Sequence, residues 1–390
     1  MSAIKDVPDS SNDYVPRVLS APSELDAQAW DSLLAAAGGS PFMRHAYLAA
    51  MHDSGSATKA SGWSPHFVTL WRDGELHAAC PVYLKSHSYG EYVFDWAWAN
   101  AYEQHGVRYY PKALTAVPFT PVPGPRLLAR DPAARAELVR ATLEWCARKK
   151  VSSWHLLFAN DDDVAACESN GMMLRNTVQF HWTNAGYADF DAFLASLSQD
   201  KRKKIRQERR KVAEAGVVFR HARGADIARK DWDFFYRCYE RTYLEHGNAP
   251  YLTRDFFRRM ASTMPENWLL FIAERNGKRI ASSLIGIGDQ VAYGRYWGAL
   301  ERVDCLHFEA CYYQPLAWCI AKGYQRFEGG AQGEHKMARA LLPVKTTSAH
   351  WLAHPAFADA VEKFLQREGR GIENYMEHLE ERSPFRQALK

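Results

Sequence analysis

Glu334 and His335 stand side by side in a stretch that carries three glycines, Gly329, Gly330 and Gly333. A histidine titrates near neutral pH and suits general-base work. The glycines permit tight backbone approach and positive φ. A solvated turn is the plainer alternative for this pair. Glu328 closes the short apolar stretch before the glycines. A carboxylate there either meets a substrate or pairs with Arg326 or Lys336. His307 and Glu309 open a helical segment, where an acid also complements the helix dipole. From Lys201 to Lys211, eight Lys and Arg crowd eleven positions, with Glu208 as the main relief. Such a run is either a solvated face or a phosphate site, since Arg forks match phosphate oxygens. Lys201, Arg202, Arg206, Arg209 and Arg210 are the expected phosphate ligands. No aromatics interleave with them, so base-specific reading is not expected.

Other constellations are weaker. Gln366 to Gly371 fits a Q-x-x-G-x-G pyrophosphate loop but follows an amphipathic helical stretch instead of a strand. His350 and His354 are four apart, yet no third ligand has suitable spacing and Pro355 breaks the helix, so no metal is expected. There is no G-x-S-x-G elbow and no phosphate-binding G-x4-G-K-[ST] loop.

Composition leaves room for enzymes and excludes little else. The chain has 390 residues, 47% hydrophobic and 24% charged, with a net charge of +4. No global field points to nucleic acid or membrane, and no apolar run is long enough to span a bilayer. The polar start lacks an apolar secretory core, so residues 1–14 are expected to be a disordered tail and the protein cytoplasmic. Seven scattered cysteines without a CxxC pair read as reduced thiols.

The chain also repeats itself. Trp30-Asp31 returns as Trp232-Asp233, and Pro41-Phe42-Met43 as Pro250-Tyr251-Leu252. Trp63 returns as Trp268, each just before a strand. Two hairpins follow, turning at Asp73-Gly74 and Asn276-Gly277, both strong turn signals between apolar runs. Leu143 to Cys146 and Leu316 to Cys319 then lie in helices that precede strands at Trp154–Phe158 and Gln325–Glu328. The first half carries an insertion around Ala99 to Pro125. Its Tyr102, Tyr109, Tyr110, Phe119 and Arg126 are expected to line or cover a cleft. In the second half, strands are predicted at 268–274, 279–287, 291–297 and 324–328, with a helix over 306–322 that Pro315 kinks or splits. The predicted class is α/β with mixed (α+β) sheets, as two units over 15–185 and 186–390, the second bearing a basic helix over 198–214.

This order of elements resembles the GNAT acyltransferase fold, and two units in tandem resemble the FemAB-like group. The local sequence is similar to the bacterial family labelled peptidoglycan biosynthesis/recognition. The resemblance rests on Phe94-Asp95-Trp96, Tyr109 to Lys112, Val117 to Arg126, Gln179 to Trp182 and the basic run. It extends through Gly294 to Gly298, His307-Phe308-Glu309 and Phe327 to Lys336. It implies a sheet that splays between the fourth and fifth strands of the second unit, with an acyl group in the gap. Glu328, His335, Glu334 and Tyr296 are then the candidate catalytic residues, Tyr296 as an acid or as a packed strand aromatic. Trp297, Glu309, Gln332, Lys336, Tyr110, Phe119 and Arg126 are the candidate substrate contacts. The implied reaction is metal-independent transfer of an acyl or aminoacyl group to a primary amine on a small molecule or peptide. The donor is acyl-coenzyme A or aminoacyl-tRNA, held by the basic helix without a tightly bound cofactor. Gly298 to Asp304, where a GNAT pyrophosphate loop belongs, lacks that pattern, which weighs against coenzyme A. A non-catalytic module binding cell-wall fragments or a nucleotide-bearing ligand is the competing reading. A cavity beside Glu328 or His335 discriminates between the two.

Overall fold

The structure, a computed structural model, describes residues 14–331 and 333–386. The expected tail therefore lies outside the described residues, except for Tyr14. That ring is held by the Arg72 guanidinium, 4.6 Å from its centroid.

Among the described residues, thirteen strands form one sheet. They are β1 (Val15–Leu19), β2 (Trp63–Arg72), β3 (Glu75–Lys85), β4 (Lys112–Thr115), β5 (Leu128–Ala129), β6 (Ser153–Ala159) and β7 (Met173–Thr183). There follow β8 (Val217–Arg223), β9 (Trp268–Arg275), β10 (Lys278–Ile287), β11 (Val291–Ala299), β12 (Arg326–Ala331) and β13 (Leu342–Leu352). The order is β1-β2-β3-β4-β6-β13-β7-β12-β11-β10-β9-β8, with β5 alongside β3. From either end the sheet reads alike: an antiparallel meander, one parallel pair, then a strand supplied by the other half. The parallel pairs are β4 with β6 and β11 with β12. The last strand of each half is exchanged, β7 lying on β12 and β13 on β6. The expected division at 185/186 thus falls between elements of the chain, but it does not divide the sheet into two bodies.

Local chemistry explains the repeats. Both hairpins turn on a left-handed pair, Asp73-Gly74 (φ 54° and 80°) and Asn276-Gly277 (φ 52° and 70°). Two left-handed residues in a row match the twist of the flanking strands. Those hairpins, β2–β3 and β9–β10, each lie second and third from a sheet edge. The helices His45–Asp53 and Arg254–Thr263 pack on each other, with Tyr47 edge-on to Phe256 at 5.4 Å. One apolar core therefore runs through both halves, from Trp30 and Phe42 to Phe256 and Trp268.

The predicted helix over 306–322 forms, but not as a uniform α-helix. Its middle turn, Glu309–Tyr313, is π-helical, and α-helix resumes at Gln314. Pro315 cannot donate the N–H that an α ladder needs, so the helix widens just before it. The long helix Pro355–Glu381 contains Gln366 to Gly371 in its middle, which removes any pyrophosphate-loop role there. It also joins two regions: Val361 and Leu365 pack beside Trp98 and Tyr102, and Leu379 beside Phe180 and Trp182.

Candidate active site

Strands β11 and β12 pair only through Val291–Arg326, Ala292–Phe327 and Tyr293–Glu328. Beyond Glu328 they part, leaving an open V. Two irregularities widen it. Arg295 is an extra residue in β11, where Tyr296 pairs with Leu284 but Gly294 with Ile285. On β12 the register against β7 slips between Glu328 and Ala331, at Gly329 and Gly330. Gly330 has φ 78°, a conformation that glycine adopts without strain.

The two faces of the V differ. On one, a cavity of about 130 Å³ is walled by Ser283, Gly294, Trp297, Phe327, His307 and Tyr312. His307 stacks edge-on to Trp297 at 5.4 Å. Burial, then the neighbouring His335, holds His307 down at about 4, so it is neutral at pH 7. Glu328 lies between Phe327 and Gly329 on the strand, so its side chain points to the opposite face. There it meets Arg326 (Nε to Oε1, 3.0 Å). Its Oε2 is buried without a hydrogen bond to any described residue. His181 Nε2 is 4.0 Å away, too far for one. Burial pushes the Glu328 carboxyl up to about 7, against the pull of Arg326. The cavity and this perturbed carboxyl flank one strand gap, but Glu328 is paired with Arg326 and does not line the cavity itself.

The remaining candidates fall into three groups. Tyr296 and Trp297 are at the gap, on β11. Tyr296 is packed by Tyr239 at 5.2 Å and accepts a hydrogen bond from Arg295 at 3.3 Å. Lys336 and His335 are beside the gap, in the turn after β12. Lys336 Nζ donates to the Gly330 carbonyl at 3.1 Å, and burial lowers it to about 8. His335 Nε2 lies 3.4 Å from the Tyr312 hydroxyl and lines a groove of about 540 Å³ with Lys201. Gln332 lies outside the described residues.

Others are placed elsewhere than the sequence suggested. Glu334 faces away, accepting from Tyr375 (2.8 Å) and Arg382 (3.2 Å) of the long helix and its end. These bonds hold its carboxyl below the usual range and make it a clasp, not a base. Glu309 is buried against Arg209 (3.2 Å) and Gln314 (2.7 Å). That pair removes Glu309 from the substrate contacts and occupies one of the expected phosphate ligands.

The insertion turns inward. Phe119 is buried and stacked on Tyr251 at 4.7 Å. Tyr102 and Tyr109 are buried in a small cluster, and Tyr110 bonds Ser88 at 2.8 Å. Arg126 is enclosed, its Nε on the Leu157 carbonyl at 3.0 Å. Gly124 bridges Ala159, so this segment closes the first half's own gap beyond β4 and β6. It reaches the open gap only through backbone: Phe119 carbonyl accepts from Arg295 at 2.9 Å, and Pro121 carbonyl from Gln179 at 2.9 Å.

The basic helix forms over Gln199–Glu214. It docks through Ile205, Glu208 and Val212. Glu208 accepts from Arg339 (2.9 Å) and from Tyr313. The helix is thereby fastened to the π turn and to the turn after β12, on the cavity side of the V. Arg206 and Arg210 line two adjacent surface grooves. Arg202 reaches toward the Ala195 and Leu197 carbonyls, both at 3.5 Å.

Sequence reasoning missed Arg295, for which Gly294 beside it was the available bulge signal, and a buried network in the first half. There Lys112 donates to Ser88 (2.8 Å), Glu91 (2.7 Å) and Asp95. Nearby, His155 and His350 face each other through Nδ1 at 2.8 Å. His350 is thus in a strand contact and shares no helical face with His354. Among the described residues no His, Cys, Asp or Glu cluster could hold a metal. Nor is any described helix long and apolar enough to cross a membrane.

A mixed sheet made of two such meanders, with one parallel pair opened beyond its base, defines the tandem GNAT class. The chain belongs to the FemAB-like family, peptidoglycan biosynthesis/recognition, whose pattern matches residues 21–387. No curated protein matches it by sequence. Among solved structures, FemX aligns at a TM-score of 0.55 and 10% identity, over 89% of this chain and all of that one. L-PGS from Bacillus licheniformis aligns at 0.54 and 11% identity, over 87% and 97%. A tandem GNAT protein from the clavulanic acid biosynthesis pathway aligns at 0.45 and 12% identity, over 88% and 99%.

Proposed function

We propose that the chain transfers an acyl or aminoacyl group to a primary amine in the gap between β11 and β12. The carrying observation is Glu328: a buried carboxyl held near neutrality, with one oxygen unbonded among the described residues, at the apex of an open strand pair. The donor enters from the cavity face, where the basic helix offers Lys201, Arg206 and Arg210 to phosphates of coenzyme A or tRNA. The amine enters from the opposite face. Its nitrogen attacks the acyl carbon, a C–N bond forms, and the C–O or C–S bond to the carrier breaks. Glu328 takes the amine's proton and returns it to the departing alkoxide or thiolate. The unpaired edge of β11 at its bulge leaves backbone N–H groups for the developing oxyanion. Only the second half is assigned this role, because the first half's gap is filled by its own insertion. The protein is placed in the cytoplasm, where the seven described thiols stay reduced.

The test is amide formation with acetyl-coenzyme A and with mixed aminoacyl-tRNA as donors against a panel of amines, read by mass spectrometry. Product from one donor that Glu328→Gln abolishes is the expected result. No product from either donor, with neither one binding, defeats the reading.

A further inference from the structure

Two polar atoms at the open gap are buried without a hydrogen bond to any described residue, Glu328 Oε2 and Arg295 Nε. Arg295 is the extra residue of the β11 bulge. Its guanidinium lies on the face of Phe42, 5.5 Å from that ring's centroid. Among the described residues only Nη2 is engaged, by the Phe119 carbonyl (2.9 Å) and the Tyr296 hydroxyl (3.3 Å). No carboxylate among the described residues lies within ion-pair distance of it; Glu328 feels its charge only from further off, less than that of Arg326. The other deep arginines have a carboxylate or a full set of carbonyls, although Arg339 Nε is also unbonded among the described residues. Arg339 and Arg135 meet Glu208 and Asp163. Arg126 places all three nitrogens on the backbone carbonyls of Leu157, Pro125 and Val122. Arg295 lies deep in the molecule yet keeps some accessible surface. A buried cation with neutral partners is costly unless an anion completes it. The donors left over, Nε and Nη1, do not share an edge, so each offers a carboxylate a single charge-assisted bond.

We infer that Arg295 anchors a carboxylate of the acceptor, so that the acceptor is an amino acid or a peptide carrying that carboxylate close to its reacting amine. The inference rests on the transfer reading above for the place of the amine, beside Glu328. Tyr293 is the register partner of Glu328. Arg295 is two residues further along β11, roughly 7 Å by strand rise. That span suits an amine and a carboxylate a few bonds apart. Arg295 is a positioning and specificity residue here, not a proton carrier.

Binding separates this inference from the reaction itself. The probes are L-lysine, L-lysinamide and 1,5-diaminopentane, which keep the amine and differ at the carboxylate. Acetyl-lysyl-alanine and its C-terminal amide form a second set. Dissociation constants come from ligand-observed NMR on the full chain, on Arg295→Gln and on Arg295→Lys. The wild type is expected to prefer the carboxylate-bearing member of one set by about tenfold or more, the weight of a charge-assisted bond. Preference in the lysine set puts the carboxylate on the amine-bearing residue; preference in the dipeptide set puts it on the next. Arg295→Gln is expected to erase the preference while leaving diaminopentane binding unchanged, and Arg295→Lys to keep part of it. Wild type without preference in either set overturns the inference. So does an Arg295→Gln protein that weakens every probe equally, because the residue is then only a strut for the Phe119 backbone. If the preference holds but no amide product forms with any donor, the transfer reading fails while the carboxylate site stands.

Discussion

Replacing Glu328 by Gln separates catalysis from stability in opposite directions. The carboxyl titrates at about 7 in the folded chain against an ordinary 4.5, chiefly because it is buried. A base must be ionised to work. The rate should therefore rise through pH 7, roughly tenfold between pH 6 and pH 8, and the substitution should cost about 10²–10⁴ in rate. Stability runs the other way. A carboxyl whose folded value is raised binds its proton more tightly when folded, so it costs nothing below the unfolded value. Between pH 4.5 and 7 the folded state must either keep that proton or bury a charge, and the penalty grows. At pH 8 a shift of this size amounts to about 3 kcal/mol, at 1.36 kcal/mol per unit. Arg326 is half-exposed and loses little when its partner becomes neutral, and the attraction of Arg295, which acts on Glu328 less than Arg326 does, is also lost. Glu328→Gln should therefore gain up to about 3 kcal/mol at pH 8 and almost nothing at pH 4.5. Urea unfolding of both proteins across that range measures it. A stability gain that does not grow with pH, or a variant that keeps the wild-type rate, refutes the reasoning.

Three further outcomes are expected. Glu208→Gln leaves Arg339 buried without its carboxylate, and should lower stability by about 3 kcal/mol in chemical denaturation. Changing Arg206, Arg209 and Arg210 together to Gln should weaken donor binding. For tRNA the log–log salt slope should also shrink by about 0.7 to 0.9 per lost phosphate contact, while unchanged affinity at low salt makes the run a solvated face. Gly298→Ala puts a Cβ 2.0 Å from the Cys238 carbonyl oxygen, a backbone atom, and should lower the melting midpoint by an amount corresponding to about 3 kcal/mol.

Much of the fold was legible because short-range chemistry wrote it. Asp-Gly and Asn-Gly placed both hairpins, and the predicted strands at 279–287 and 291–297 match β10 and β11 closely. Pro315 signalled a break, but nothing local says that the helix answers by widening into a π turn instead of kinking. The bulge at Arg295 has Gly294 beside it, a residue common at bulges, but Gly298 stands in the same strand, so sequence alone does not single out the position. Glu328 was legible as a candidate, whereas its perturbation depends on burial by β7, a strand some 150 residues earlier. The insertion was recognised by the broken repeat. Its direction was misjudged, because Tyr and Pro content serves a plug as well as a lining. Glu334 was misjudged for a similar reason: its partners Tyr375 and Arg382 sit far along the chain.

The exchanged strands bear on how the protein is made. A ribosome releases β6 with one edge vacant, and the strand that occupies it, β13, ends at Leu352. At a usual pace of synthesis the intervening chain takes about 10–40 s to appear. Through that interval β6 and β7 offer unpaired backbone to any extended segment nearby. Nascent chains stalled before Leu342 should therefore need a chaperone's protection, and those released after Leu352 should not.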